Sequence, residues 1–276
     1  MKYAICNETF QGWEWEPTCR RVAELGYDGI EVAPFTLAED VRTIGASERA
    51  AIARSAQNKG LNVIGLHWLL VSPKGLSLTT QDDTVRVETR DYLAALADFC
   101  ADIGGKILVL GSPAQRRIPV GDSAIVAADR LEQCLRPALE RAERHGLTVC
   151  LEPLPPPEAD FILNLRQAVE LIERFRHPSL RTIFDVKSAS SEGIPLPELI
   201  RDFAPWIAHV HANDANRRGP GFGDTDFVPV LTTLRDIGYD GYISIEVFDY
   251  SPDPTTIARE GLAYLRRCEA AAQEAP

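Results

Sequence analysis

Three carboxylates and one imidazole follow four consecutive predicted strands in the second half of this 276-residue chain. The four residues are Glu152, Asp185, His211 and Glu246. A single glutamate at a strand end is usually a salt-bridge partner or faces solvent, but four successive strand ends with such residues favour a divalent-metal site. Oxygen ligands with one nitrogen suit Mn²⁺, Mg²⁺ or Co²⁺ better than Zn²⁺, for which thiolates would be expected.

The stretch 207–226 begins as an apolar strand and ends in a loop rich in Gly, Asn, Asp and Arg. His209 and His211 alternate with apolar residues, so both side chains are expected on the same side of the strand. We predict His211 as the ligand and His209 as a residue packed behind it. The glycines of 219–223 predict a lid or turn rather than a phosphate loop, because no helix begins at the required spacing.

Short apolar runs alternate with helical patterns along the whole chain. The predicted strands are 2–6, 29–33, 61–67, 106–110, 147–151, 180–184, 206–210 and 242–245. The predicted helices are 17–25, 47–60 with Ser47 as its cap, 83–103, 122–145, 164–175, 197–203, 227–237 and 254–272. Eight evenly spread units predict an α/β fold, a (β/α)8 TIM barrel with its site at the C-terminal strand ends. Since no linker divides them, residues 1–276 are predicted to form a single domain.

Composition and charge narrow the class of partner. The net charge of −11 argues against a nucleic-acid partner, which would require clustered Lys and Arg. The chain has no apolar run long enough to predict a membrane span and no signal-peptide pattern. Its six cysteines are scattered, as is typical of buried thiols in a reducing compartment. We therefore expect a cytoplasmic protein.

Four local motifs resemble the xylose isomerase-like TIM barrel superfamily. They are Leu-Glu-Pro at Glu152, Phe-Asp at Asp185, His-Val-His-Ala at His211 and Ile-Glu-Val at Glu246. Within it, the chain is most similar to sugar phosphate isomerases and epimerases of the D-tagatose 3-epimerase and hydroxypyruvate isomerase type. The resemblance implies that these four residues bind a divalent metal, Mn²⁺ first among the candidates. It also implies that Glu152 and Glu246 are acid/base groups, that the substrate is a small sugar, and that the protein forms a dimer or tetramer.

The resemblance implies three substrate contacts, which are His67, Glu158 and Arg217. One position departs from the family pattern, because Ser188 stands where the epimerases usually have a histidine. The adjacent Lys187 is expected on the same side of an extended chain as Asp185. There its ammonium group could stabilise a substrate oxyanion in place of the missing imidazole, or it could pair with Asp185 or Glu158.

Aromatic and basic residues after the strands add two further expectations. Trp13, Trp15 and Trp68 follow strands one and three, where they could form walls against the face of a sugar. Arg116 and Arg117 follow strand four, and we interpret them as a solvated loop pair, with binding of a phosphate or carboxylate as the alternative.

The expected function is a sugar isomerase or epimerase that acts on a ketose or keto-sugar through an enediolate, with two carboxylates transferring protons. One alternative is a metal-dependent dehydratase or lyase that acts on a keto-inositol or a 3-keto-glycoside. An abasic-site endonuclease-like hydrolase is less favoured, because only five histidines are present and the net charge is −11.

Overall fold

Eight parallel strands close into a barrel in which each strand pairs with its neighbours in sequence and the last pairs with the first. The structure, a computed structural model, describes residues 1–274, so the last two residues of the predicted domain lie outside it. The strands are β1 Lys2–Cys6, β2 Gly29–Val32, β3 Asn62–Leu66, β4 Ile107–Leu110, β5 Thr148–Leu151, β6 Leu180–Asp185, β7 Ile207–Ala212 and β8 Tyr242–Ile245. The predicted (β/α)8 barrel is confirmed.

The helices are α1 Trp15–Leu25, α2 Ala46–Gln57, α3 Asp83–Asp102, α4 Ala124–His145, α5 Leu165–Phe175, α6 Val186–Ser190, α7 Leu196–Phe203, α8 Phe227–Asp236 and α9 Pro254–Glu274. Within residues 1–274, no helix is both long enough and apolar enough to cross a membrane. The predicted Ser47 cap is wrong, because α2 begins at Ala46 and Gly45 takes the capping position without a side-chain hydrogen bond. Ser123 caps α4, accepting a hydrogen bond from the Val126 amide at 3.3 Å.

The buried apolar residues explain why the sheet closes. Strands such as β4 (Ile-Leu-Val-Leu) are apolar at every position, as expected when helices cover one face and the barrel interior lies on the other. Val109, Cys150 and Ile183 form a small cluster separate from the main core that underlies the helices. All six cysteines are buried and unpaired, as expected from their spacing. Because all strands run in parallel, the residues at their C-terminal ends meet on one face.

The chain turns sharply at the end of β6, and this turn determines which side chains reach the site. Asp185 caps the short helix α6, its Oδ1 accepting a hydrogen bond from the Ser188 amide at 2.7 Å. Lys187 therefore lies in a helical turn rather than in an extended strand. The expectation that Lys187 and Asp185 share one side of an extended chain is wrong, because the cap ends the strand at Asp185.

Candidate metal and sugar site

The four predicted ligands come together at the C-terminal end of the barrel. Glu152 and Glu246 directly follow β5 and β8, Asp185 ends β6, and His211 lies near the end of β7. All four are buried, and each offers a ligand atom that lies within 4.8 Å of those of the other three. Four successive strands thus deliver three carboxylates and one imidazole to one point.

His211 is oriented by a glutamate on the opposite side of the barrel. Its Nε2 lies 3.2 Å from both carboxylate oxygens of Glu31, which also accepts a hydrogen bond from Nε2 of His209 at 3.0 Å. Burial alone would raise the pKa of Glu31, but the two histidines outweigh it and hold the pKa well below its usual value. A proton on Nε2 of His211 leaves Nδ1 free to act as a ligand. His209 packs behind His211, where the sequence predicts it.

Glu246 is held by donors on its other side. Its Oε1 accepts a hydrogen bond from the Trp68 indole at 2.9 Å and lies 3.4 Å from Nδ1 of His67. Its Oε2 lies 3.1 Å from Nδ1 of His211, in a geometry that forms no hydrogen bond. Burial would raise the pKa of Glu246, but His211 and His67 outweigh it and hold the pKa well below its usual value. The anionic form of this carboxylate is therefore favoured.

Glu152 has the opposite protonation tendency. Burial raises its pKa to about 8, with further contributions from the charges of Glu246 and Asp185. A side chain at Gly111 would overlap Oε2 of Glu152, so the glycine makes room for this carboxylate. Two carboxyls with pKa values moved in opposite directions are the arrangement expected of an acid/base pair.

Asp185 and its neighbours form a well-connected support. Its Oδ2 accepts a hydrogen bond from Nδ2 of Asn213 at 2.6 Å, while its Oδ1 caps α6. The hydroxyl of Ser188, at the position of the expected family histidine, is buried and has no hydrogen-bond partner among the described residues. Oδ1 of Asn213 also accepts a hydrogen bond from the backbone amide of Lys187 at 2.8 Å. Asn213 therefore links the end of β7 to the start of α6.

Lys187 pairs with Glu158. Its Nζ lies 3.1 and 2.8 Å from the two oxygens of Glu158 and 4.5 Å from the ring centroid of Phe248. Burial would lower the pKa of Lys187, but Asp185 and Glu158 outweigh it and raise the pKa, so the ammonium stays charged. Of the two partners considered for this lysine, the structure shows Glu158 rather than Asp185. Glu158 faces the site cavity, and Lys187 lies behind it.

A cavity of about 380 Å³ opens above the four-residue cluster. Its lining includes His67, Trp68, Gly111, Glu152, Glu158, Arg217, Glu246 and Phe248. Arg217 has a left-handed backbone (φ 72°), and its guanidinium lies 5.5 Å from the Phe248 ring. Of the three predicted aromatic walls, only Trp68 lines this cavity. Phe248 is an additional aromatic that sequence reasoning missed, although its position two residues after Glu246 was an available signal.

Arg116 contradicts its predicted place in solvent. It is 1% exposed and donates a hydrogen bond to the carbonyl oxygen of Glu152 at 2.7 Å. Burial lowers its pKa to about 10, while the charges of Glu152 and Asp160 act in the opposite direction. The 3-10 turn Pro113–Arg116 directs this side chain inward, whereas Arg117 remains exposed. Two adjacent arginines look alike in sequence, and only the turn separates them.

Comparison with known proteins connects the fold and this site to one family. Fructoselysine 3-epimerase of Escherichia coli O157:H7 is 26% identical over 265 residues, covering 91% of this chain and 92% of that protein. D-psicose 3-epimerase of Agrobacterium fabrum is 26% identical over 258 residues, covering 90% and 85%. 3-Dehydro-D-guloside 4-epimerase of E. coli K12 is 25% identical over 285 residues, covering 97% and 100%.

The solved structures agree in fold. A D-psicose 3-epimerase crystallised in the presence of D-fructose has a TM-score of 0.85 at 21% identity, covering 98% of this chain and 99% of that one. The family model described as xylose isomerase-like TIM barrel matches residues 19–268. The chain therefore belongs to the xylose isomerase-like TIM barrel family.

Proposed function

We propose that this chain is a divalent-metal-dependent epimerase or isomerase of a ketose or keto-sugar. Its class, a sugar isomerase or epimerase, follows from relatives of that kind that match almost its full length. The observation that carries the metal part of the proposal is the buried cluster of Glu152, Asp185, His211 and Glu246 beneath a cavity of about 380 Å³.

The donor set fits a hard divalent cation. Nδ1 of His211 and Oε2 of Glu246 are buried atoms without a hydrogen-bond partner among the described residues, although buried polar atoms are nearly always satisfied. Three carboxylates with one imidazole suit Mn²⁺, Mg²⁺ or Co²⁺. When bound, such a cation would supply positive charge that neutralises negative charge developing on the sugar oxygens.

Proton transfer is assigned to the two glutamates. Epimerisation next to a carbonyl requires that a proton leaves one face of the carbon and that a proton reaches the other, by way of an enediolate. Glu152 and Glu246 extend from β5 and β8, which are not adjacent in the barrel, so they can approach a substrate from different sides. Trp68 fixes Glu246 by a hydrogen bond, and the space at Gly111 accommodates Glu152.

Four further residues are proposed to hold the sugar or to position the groups that do. The guanidinium of Arg217 and the carboxylate of Glu158 both line the cavity, and Arg217 forms no salt bridge within residues 1–274. Lys187 keeps Glu158 in place, which gives it a positioning role in addition to its charge. His67 is proposed to orient Glu246 while also forming part of the cavity wall.

A dehydratase or lyase acting on a 3-keto-glycoside is the second candidate, because one relative is named as a 3-dehydro-D-guloside 4-epimerase. In a 3-keto-glycoside the keto group is at C3 and the glycosidic oxygen is on C1. Abstraction of the C2 proton gives an enolate, which could re-form the keto group, make a C1–C2 double bond and release the C1 oxygen substituent as the leaving group. The endonuclease-like alternative is disfavoured by the histidines. His145 and His177 lie by Asp98 and Glu143, away from the cluster, which leaves only three imidazoles at the barrel mouth of the described chain.

The test is solvent deuterium exchange by purified protein that has been stripped with a chelator and reloaded with Mn²⁺. We expect deuterium at the carbon next to the carbonyl of at least one ketose or 3-keto-glycoside, with formation of an epimer or isomer. The variant Glu152→Gln should abolish exchange, and Glu140→Gln, an exposed change on α4, should not. No exchange with any sugar of the panel would refute the proposal, and loss of water or of an aglycone would establish the second candidate.

A further inference from the structure

A second cavity, of about 500 Å³, opens beside the site at the same end of the barrel. It is formed by the segments that follow β1 and β2 and by the start of α2. The residues used below are Glu8, Trp13, Glu14, Trp15, Phe35 and Glu48. None of its lining residues lines the first cavity. The two cavities meet where Oε2 of Glu8 lies 2.8 Å from Nε2 of His67.

The Asp, Glu, Lys and Arg side chains that line this second cavity are all acidic. Three glutamates line it, and no lysine or arginine does so in the described part of the chain. Glu14 and Glu48 are exposed and form no salt bridge with any described residue. Glu8 is only 2% exposed, and its Oε2 lies 2.8 Å from Nε2 of His67, while its Oε1 has no hydrogen-bond partner among the described residues. One buried acceptor atom of a residue that lines the cavity, Oε1 of Glu8, is therefore left without a partner.

Three of the polar donors around this cavity are already used within the protein. Asn7 donates its amide to the Thr36 hydroxyl at 2.7 Å, and that hydroxyl donates to the Ala33 carbonyl oxygen at 2.7 Å. The Trp15 indole donates to the carbonyl oxygen of Ile52 at 3.0 Å. The wall therefore presents carboxylate oxygens and aromatic faces to a ligand, and its other polar side-chain groups are the Gln11 amide and the Trp13 indole.

Two of the aromatic side chains are unusually exposed for their type. Trp13 is 40% exposed and Phe35 is 37% exposed, and both line the second cavity. Phe35 also packs edge-on against Trp68 of the first cavity, with ring centroids 6.3 Å apart. Aromatic faces attract cations, and this attraction adds to that of nearby carboxylates.

We propose that the second cavity binds an organic ammonium group. A hydrated inorganic cation would be held by the carboxylates but would gain little from the aromatic wall, whereas an alkylammonium ion uses both. The ammonium group could belong to a free small amine or to the amine-bearing substituent of a sugar in the first cavity. Both sources present the same chemistry, and the contact between Glu8 and His67 places the two cavities side by side.

The first experiment measures binding of n-butylammonium by titration calorimetry, with n-butanol as the neutral control. We expect saturable binding of the amine and none of the alcohol at the same concentration. The double variant Glu14→Gln/Glu48→Gln should weaken amine binding about fivefold, and raised salt should weaken it further. Trp13→Leu should also weaken it. Glu39→Gln, an exposed glutamate that does not line the cavity, is the matched control and should leave binding unchanged. Absence of saturable amine binding, or an equal effect of all variants, would overturn the proposal.

A second experiment distinguishes the two sources of the ammonium group. The KM for an amine-substituted ketose is compared with that for the free ketose, in the wild type and in the double variant. If the wild type has a lower KM for the amine-substituted ketose than for the free ketose, and the double variant does not, the ammonium group is part of the substrate. If the protein binds n-butylammonium but the two KM values are equal, the ligand is a free amine. The calorimetric measurement requires neither metal nor turnover. Catalytic failure with intact amine binding would therefore refute the proposed function but not this site.

Discussion

Replacement of Glu31 by Gln tests whether the support behind His211 controls metal binding. Glu31 is fully buried, and its carboxylate accepts hydrogen bonds from His209 at 3.0 Å and from His211 at 3.2 Å. Glutamine keeps one acceptor oxygen but turns an NH₂ group toward imidazole N–H donors. Both histidines contact Oε2, but only His211 also contacts Oε1, at 3.2 Å. With the glutamine oxygen in the place of Oε2, the NH₂ group faces Nε2 of His211, so this ring loses one of its two acceptors and is held less firmly in the orientation that directs Nδ1 to the cluster.

The size of both effects can be worked from these contacts. A hydrogen bond to a charged group contributes about 1.5–3 kcal/mol, and an unsatisfied buried donor costs about 1–3 kcal/mol. We expect the free energy of unfolding of the metal-free protein to fall by about 2–4 kcal/mol. For a domain of this size, that corresponds to a Tm roughly 5–15 °C lower. Loss of a residue that orients a metal ligand lowers metal affinity by about 10–100-fold.

The assay combines thermal unfolding of metal-free protein with titration of Mn²⁺ by calorimetry. Leu135→Ala is the matched control, because Leu135 is buried on α4, away from the cluster. That change should cost about 2–5 kcal/mol of stability while leaving Mn²⁺ affinity unchanged. If Glu31→Gln lost stability but bound Mn²⁺ as tightly as the wild type, the reasoning that connects Glu31 to the ligand role of His211 would be refuted.

Three other predictions address the cluster and its neighbours. Gly111→Ala places a methyl group where Oε2 of Glu152 lies, which displaces this carboxylate. Mn²⁺ affinity, measured by calorimetry, should therefore fall about tenfold or more. Unchanged affinity would mean that Glu152 is not a ligand. The pKa of Glu152 is raised to about 8 in the folded protein, whereas the unfolded chain releases this proton near pH 4.5. The free energy of unfolding of the metal-free protein should therefore decrease as pH rises from about 4.5 to 8. The Tm of Glu152→Gln should show a smaller decrease across that window, and equal slopes for both proteins would contradict the shift. Lys187→Met leaves Glu158 without its partner, so the Tm should fall and the KM for the ketose should rise about tenfold. Lys187→Arg keeps a positive charge beside Glu158, so both changes should be smaller. An unchanged KM in steady-state kinetics of Lys187→Met would show that the pair has no part in holding substrate.

The barrel could be predicted from the sequence because its signal is local. Each strand is a short apolar run, each helix has its own periodic pattern, and eight such units leave few other topologies. The same locality explains the errors in element ends. Ser47 is a residue type that often caps helices, but α2 begins at Ala46 with Gly45 at the capping position. Helix starts at neighbouring residues differ little in free energy, so local sequence does not decide between them.

The candidate ligand cluster could also be proposed from the sequence, since parallel strands bring their C-terminal ends to one face whatever the loops do. Glu152, Asp185, His211 and Glu246 were therefore expected to meet, and the structure brings their ligand atoms within 4.8 Å. Their meeting requires only strand order and position, which the sequence by itself determined.

Only the tertiary structure decided what supports and surrounds that cluster. Glu31 contacts His211 across the barrel, 180 residues away in sequence, and Lys187 reaches Glu158 only because Asp185 ends the strand as a helix cap. Arg116 is buried although its neighbour is exposed, because a single 3-10 turn directs it inward. Such contacts depend on closure of the barrel and on the paths of individual loops. No local sequence pattern predicts these contacts, because the two residues of each pair meet only after the chain has folded and their spacing along the chain does not show it.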